Sequence, residues 1–346
     1  MGDPCRLTIA EIREQTKAGA LGARVWGQAE ELAKRTSSAG KPFWELKLRD
    51  AADLLVLRAW SDTPAFESCE ELARGEAVEI EGEFLVNGNF GLDARRWILR
   101  PLTPDESAEL FAGGAADEVA RDFSDVTGLV GGLADPRLRA ISEMFLAEHG
   151  PRFQRAAAAR HNHHAHRGGL LRHTAQMMRS AAALAGVYPT LNRDLLLAGT
   201  LFHDTGKLWE MCPPEIGFDI PRELRGELLG HISIGIELVN ALWRKLPLDE
   251  WKNLTPASED VRLHLLHLIA AHHGEMQYGS PVEPKTPEAI ALHFIDNLDA
   301  RLEMIFAAYG KQPEIAPGIF ERVRPLNTSP VEPLKPIAPA DSVPED

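Results

Sequence analysis

The sequence predicts a multidomain chain, with an all-β module at the N-terminal end and an all-α helical bundle after it. Three observations carry this. Residues 5–102 alternate apolar and polar side chains with a period of two, interrupted by turn residues. From about 151 to 309 the apolar residues recur at helical spacing instead. All 13 histidines lie between His149 and His293, so the helical part has a local use for imidazole and the β part has none.

In the β module, strand-like runs cover 22–27, 43–50, 54–60, 77–86 and 90–99, with turns at 39–42 and at Asn87-Gly88-Asn89, and a short helical piece lies near 66–74. Five strands in so short a span predict a small barrel of the OB type. Such a barrel holds single strands by stacking bases on rings beside positive charge. Phe43, Trp44, Trp60, Phe90 and Trp97 are the candidate rings, with Lys34, Arg35, Lys41, Lys47 and Arg95 near them. For any one ring, filling the core competes with stacking. Phe43 and Trp44 are neighbours on one strand and point to opposite faces, which leaves one of them outside.

Residues 103–150 read as an acidic, glycine-punctuated connector holding one helix that starts at Asp135-Pro136 and carries Leu138, Ile141, Phe145 and Leu146. Helices are then expected around His173, over 194–203, over 223–246 with Leu228, His231, Ile234 and Leu238 on one face, over 258–273, and from Thr286-Pro287 to about 309. Residues 311–346 hold eight prolines, which predicts a largely disordered tail.

The net charge of −14 is uneven. The connector has 10 acidic and 3 basic side chains, most simply a solvated face, whereas 152–193 has seven arginines, five histidines and no acid. The second segment would attract an anion. No run of about 18 apolar residues exists, so no membrane span is expected. Three scattered cysteines and the lack of a basic-then-apolar leader predict a cytoplasmic protein without a zinc–cysteine site.

The chemistry centres on 201–207, Leu-Phe-His-Asp-Thr-Gly-Lys. Adjacent helical side chains point about 100° apart, so His203 and Asp204 can share an ion only at a helix end. Gly206 is expected to close that helix in a left-handed conformation. Lys207 adds positive charge one step further on. His173, His231, His272-His273 and Asp296 sit on apolar faces or at the ends of other helices. A lone buried histidine is usually a satisfied core group, but a buried aspartate such as Asp296 needs a partner, and a metal ion would serve all of them. Mixed imidazole and carboxylate donors suit zinc, manganese, iron, cobalt or nickel.

The pattern His173…His203-Asp204…Asp296 resembles the HD phosphohydrolases, and His231 and His272 resemble the extra histidines of their two-metal members. More narrowly, His163-His164-Ala165-His166-Arg167-Gly168-Gly169-Leu170-Leu171-Arg172-His173-Thr174 resembles the YhaM-type 3′→5′ exoribonucleases, as do 201–207, Gly230-His231-Ile232, Ala271-His272-His273-Gly274, Gly279-Ser280-Pro281 and 293–299. That family has an OB barrel before its HD domain, and Gly40-Lys41-Pro42-Phe43 fits it. The resemblance spans roughly residues 20–310 and departs at His166, where the family more usually has tyrosine.

The chain thus divides into 5–102 (barrel), 103–150 (connector), 151–310 (HD domain) and 311–346 (tail), of which the barrel and the HD domain have counterparts in the family and the connector and tail have none. The resemblance implies a metal-dependent phosphodiesterase, a 3′→5′ exonuclease on single-stranded RNA with DNA left open. His173, His203, Asp204 and Asp296 would hold one divalent transition-metal ion, and Asp204 would bridge to a second held by His231 and His272 or His273. Two ions about 3.5–4 Å apart clamp a phosphodiester and activate a hydroxide for in-line attack. Lys207, His164 and Arg167 would neutralise phosphate oxygens, His273 could protonate the leaving oxygen, and Phe43, Trp44 and Trp60 would stack bases. A homo-oligomer is compatible with this. The alternative is an HD hydrolase of a small or cyclic nucleotide with a regulatory barrel. A nucleic-acid-binding protein with an inert site is a third reading, against which the complete ligand set argues.

Overall fold

A computed structural model of the chain describes residues 4–51, 53–87, 91–112, 116–160, 164–324 and 326–334. The N-terminal region is one five-stranded antiparallel sheet of β1 (Leu21–Thr36), β2 (Pro42–Arg49), β3 (Leu54–Trp60), β4 (Ala77–Asn87) and β5 (Gly91–Pro101), in the order β3-β2-β1-β4-β5. The 16-residue β1 serves two neighbours: its first half pairs with β4 and its second with β2, and a bulge between Ala29 and Glu31 marks the change. Val25, Leu46, Leu48, Leu55, Leu57, Val78, Ile80 and Phe84 alternate inward and fill one core. Helix α1 (Ile9–Gln15), started by a Thr8–Glu11 capping box, adds Ile9 and Ile12 to it. Helix α2 (Pro64–Glu71) adds Ala65 and Cys69.

The expected barrel is an open, OB-like sheet. Among the described residues no ladder joins β3 to β5; the partly buried side chains of Arg58 and Asp93, 3.9 Å apart, occupy that seam instead. Gly88, Asn89 and Phe90 lie outside the described residues, although Asn87 and Gly91 on either side are cross-strand partners. Trp97 is a core ring: a Cβ on Gly82 opposite would lie 2.7 Å from the Trp97 Cβ.

Helices α3 (Pro104–Ala112), α4 (Ala116–Gly131), α5 (Pro136–Phe153), α6 (Gly169–Val187), α7 (Arg193–Phe202), α8 (Leu224–Trp243), α9 (Ser258–Ala271) and α10 (Pro287–Lys311) follow. The stretch read as a connector is part of their core. α4 contributes Val126 and Val130, and α5 contributes Leu138, Ile141 and Phe145. α5 starts as expected, with the Asp135 carboxylate accepting from the backbone N–H groups of Arg137 and Leu138. The acidic surplus is also not just a solvated face. Glu118 meets Arg172 at 2.8 Å, and Asp122 and Asp125 meet Arg179 at 3.1 and 2.7 Å. The acids of α4 thus pair with arginines of the acid-free segment on α6.

Gly230 has φ 67° and ψ 158° and breaks α8 near its start. The helical phase is lost there, so Leu228, expected on the face of His231, is 72% exposed. The sheet and the helices meet at Gln28, whose buried amide accepts from the Phe218 N–H at 2.8 Å and donates to the Gly75 carbonyl at 2.9 Å. No helix among the described residues is long and apolar enough to cross a membrane.

Residues 300–346 form a separate unit. There the tail, expected to be disordered, carries a short hairpin of β6 (Glu314–Ala316) and β7 (Ile319–Phe320), and the Tyr309 hydroxyl donates to the Val331 carbonyl at 3.0 Å. Residues 335–346 of that expectation lie outside the described residues.

Candidate metal centre

Five segments deliver the site. α6 begins at a Gly168-Gly169 pair: Gly168 is left-handed at φ 81°, and a Cβ on Gly169 would lie 2.0 Å from the His164 carbonyl oxygen. One turn later α6 places His173, which is fully buried. α7 ends at Phe202. His203 caps it, Asp204 leaves the helix at φ −110°, and residues Thr205–Trp209 form a 3₁₀ turn. Gly206 is not left-handed, contrary to expectation. It sits inside that 3₁₀ turn, and what requires glycine is close approach, because a Cβ would lie 1.9 Å from the His231 carbonyl oxygen. His231 follows the Gly230 break, His272 caps α9, His273 comes next, and Asp296 comes from α10.

The Asp204 carboxylate is the hub. His173 and His203 Nε2 lie 3.8 and 3.3 Å from its Oδ2, and His231 and His272 Nε2 lie 3.5 and 3.6 Å from its Oδ1. Asp296 Oδ1 is 3.3 Å from His173 Nε2, and the His203 and His173 Nε2 atoms are 3.3 Å apart. On the other side His273 Nε2 is 3.3 Å from His231 Nε2. Lys207 Nζ reaches Asp204 Oδ2 at 2.7 Å. Of these side chains, His231, His273, Asp296 and Lys207 retain some exposure, which puts the opening of the site on their side.

Four of the five imidazoles are hydrogen-bonded from behind, and the fifth, His231, faces a carboxylate. His203 Nδ1 donates to the Thr200 carbonyl at 2.7 Å, His272 Nδ1 to that of Ile269 at 2.7 Å, and His273 Nδ1 to that of Tyr278 at 2.8 Å. A carbonyl only accepts, so the Nδ1 proton is fixed and Nε2 faces inward. His173 and His231 turn Nδ1 to carboxylates, Asp299 at 2.7 Å and Glu210 at 3.2 Å. This is how metal-ligating histidines are oriented. Asp204 Oδ1 and His272 Nε2 are moreover buried with no hydrogen-bond partner among the described residues, although buried polar atoms are seldom left so. A divalent cation fits this donor set and would satisfy both atoms.

Charge in the site is polarised. Burial works against ionised Asp204, but the Lys207 ammonium beside it, with the surrounding imidazoles, outweighs that and holds the carboxyl well below its ordinary range. Burial also depresses the His173 imidazole, yet Asp296 and Asp299 outweigh that and raise it to about 9. Burial lowers both His272 and His273.

Several expected site residues lie elsewhere. His164 is buried and donates through Nε2 to Asp299 at 2.9 Å, so that nitrogen is engaged behind His173. Arg167 Nη1 bonds the carbonyls of Pro214 and Gly217 at 2.8 and 3.1 Å, and its Nη2 bonds that of Glu215 at 2.8 Å. Arg160 likewise holds the carbonyls of Glu210 and Ile220. These arginines clamp the 210–221 loop and do not form an open anion funnel.

The three ring candidates divide. Phe43 and Trp60 pair across β2 and β3 with centroids 4.8 Å apart and Lys41 Nζ 5.5 Å over Trp60, whereas Trp44 turns to the opposite, core-ward face beside Leu46 and Leu48. Phe43 is only 9% exposed, which leaves Trp60 as the accessible ring of the pair. Glu210 and Asp299 received no role from the sequence; the signal available for Asp299 was its place one helical turn beyond Asp296.

The family model described as HD domain matches residues 170–301, the span that runs from α6 to α10. The 3′-5′ exoribonuclease YhaM of Bacillus subtilis strain 168 is 33% identical over 294 residues, covering 84% of this chain and 88% of that protein. Among solved structures, the NMR structure of a replication factor A related protein from Methanobacterium thermoautotrophicum aligns at 18% identity over 23% of this chain and 80% of that one, with a TM-score of 0.20, too low to bear on the fold. With a third of its positions shared along nearly the whole length of YhaM and an HD domain over its metal-type ligands, the chain belongs to the YhaM-type 3′→5′ exoribonuclease family.

Proposed function

We propose that the chain is a metal-dependent 3′→5′ exonuclease of single-stranded RNA, with single-stranded DNA as a further substrate to test, acting in the cytoplasm. We propose further that it carries two divalent transition-metal ions of the Mn, Co, Ni, Fe or Zn class. The observation that supports this best is the division of imidazoles between the two oxygens of one buried carboxylate. His173 and His203 face Asp204 Oδ2, with Asp296 beside them, while His231 and His272 face Oδ1, with His273 beside them. In this reading Asp204 bridges two ligand sets.

When bound, the ions supply polarisation of a phosphodiester and a water acidic enough to attack it near neutral pH. The chain's residues do the rest. Lys207 keeps a cation at the partly open side of the site, where a phosphate oxygen would approach. The anchored Nδ1 atoms hold the imidazoles without reorganisation during the reaction. Trp60, backed by Phe43 and flanked by Lys41, gives the sheet a ring on which a base of the strand can stack. Self-association belongs to the same reading: Ile290, Phe294 and Leu298 recur every fourth residue on α10 and are 48, 65 and 55% exposed. Light scattering of the native chain and of Phe294→Glu tests that part.

The central test incubates a 5′-labelled single-stranded RNA with the purified protein and manganese. Progressive shortening from the 3′ end is expected, and both chelation and Asp204→Ala should abolish it. A strand that stays intact while bis-p-nitrophenyl phosphate is cleaved would favour a small-ester hydrolase instead.

A further inference from the structure

We propose that Asp299 is a positioning residue for the metal centre and that His164 acts through it. The inference rests on reading His173 as a metal ligand. Three of the inward-facing histidines are anchored on main-chain carbonyls, whose positions the backbone sets. His173 is not. Its Nδ1 depends on a side chain, Asp299 Oδ2 at 2.7 Å, while its Nε2 points the other way, 3.3 Å from Asp296 Oδ1 and 3.3 Å from His203 Nε2.

Asp296 and Asp299 are three residues apart on α10, so one carboxylate stands beside the His173 Nε2 and the next stands behind its Nδ1. A carboxylate behind an imidazole fixes its tautomer and ring rotation and makes the opposite nitrogen a better donor. The same Asp299 oxygen takes a second hydrogen bond, from His164 Nε2 at 2.9 Å. His164 is rigidly delivered: it is buried, has a left-handed backbone at φ 50°, and its carbonyl accepts from the Ala158 N–H at 3.2 Å while pressing on Gly169. Two donors from different segments on one oxygen hold the carboxylate in a single rotamer. His164 is thereby tied to the ligand geometry through Asp299.

Titration of the metal-stripped full-length protein with manganese chloride by calorimetry tests this without any nucleic acid. Asp299→Ala should weaken Mn²⁺ binding by about 10–100-fold. Asp299→Asn, which keeps the shape and loses the charge, should weaken it less. His164→Ala should weaken binding in the native background and cause no further loss on top of Asp299→Ala. A packing role alone would lower the melting temperature and leave the affinity of the folded protein unchanged. Native Mn²⁺ affinity in Asp299→Asn, with affinity lost in the control His173→Ala, would overturn the positioning role while leaving the exonuclease reading intact. Native affinity in His173→Ala would overturn both the ligand assignment and the role built on it.

Discussion

The Nε2 atoms of His231 and His273 face each other at 3.3 Å, with the two Nδ1 atoms turned away to Glu210 and to the Tyr278 carbonyl. Two inward lone pairs held this close repel unless a proton or a cation lies between them. His273, which the resemblance leaves open between a ligand and an acid for the leaving oxygen, is proposed as a ligand on this geometry. His273→Ala should lower the transition-metal content of the desalted protein as much as His231→Ala does. A full metal complement in His273→Ala, with a changed pH–rate profile, would restore the acid role.

Trp60 and Trp44 should behave differently because they lie on opposite faces of the sheet. Trp60→Ala should weaken binding of a labelled oligoribonucleotide by about 1–3 kcal/mol, the value of one stacked base, with little change in melting temperature. Trp44→Ala should chiefly lower the melting temperature. Fluorescence anisotropy together with thermal melts separates the two, and equal binding losses would put both rings on the strand.

Arg167→Ala should leave the salt dependence of strand binding unchanged, because the guanidinium is taken up by the carbonyls of Pro214, Glu215 and Gly217. A residue that contacts a phosphate would reduce the slope of log K against log salt by about 1 on removal. A fall of that size in Arg167→Ala would show that the side chain leaves the loop to meet the strand.

Gly206→Ala forces a methyl to within 1.9 Å of the His231 carbonyl oxygen, so the 3₁₀ turn and the His231 segment must part. Stability should fall by about 1–3 kcal/mol or more, and bound metal should be lost with it. Gly186→Ala, in α6 with nothing near its Cβ position, is the control and should be neutral or stabilising by about 0.5–1 kcal/mol. Urea unfolding of the two variants makes the comparison. Equal effects would mean that the close approach at Gly206 is relieved cheaply.

Asp135 and Arg137 predict a pH signature. Burial favours neutral Asp135, but the Arg137 guanidinium and the first N–H groups of α5 outweigh it and hold the carboxyl below its ordinary range. A depressed folded value means that the group stabilises the fold above the unfolded pKa of about 3.9 and that this contribution is lost as pH falls through the folded value. Asp135→Asn leaves the buried Arg137 without its charge partner, which should cost about 3–5 kcal/mol at pH 7. The gap between native and variant in urea unfolding should narrow as the buffer is taken below pH 4. A gap that stays constant down to pH 3 would assign the effect to the helix cap alone.

Residue type and period alone determined a good deal about this protein. Alternation over β2 and β4 marked an all-β module, and the confinement of histidine to 149–293 marked a helical domain with use for imidazole. His173, His203-Asp204, His231, His272 and Asp296 could be picked out because polar groups recurring on apolar faces are expensive unless something binds them. These signals are local, and they survive in one dimension.

Only the tertiary structure decided which atom faces which. Glu210 stands behind His231 across 21 positions, and Asp299 stands behind His173 across 126, so neither pairing has a periodicity to betray it. Arg160 and Arg167 look like phosphate ligands in a segment without acids, but their partners are backbone carbonyls, which every residue carries and no residue type announces. Leu228 fits the helical stripe of α8 until the backbone at Gly230 breaks the phase. Gly206 is glycine because another chain segment lies against it, and its own φ does not require it. Among the described residues no ladder joins β3 to β5, although the alternation of both strands was equally compatible with closure. Local pattern determines the kind of element and the chemistry it carries. Lone-pair direction and close approach depend on the packing of segments far apart in the chain.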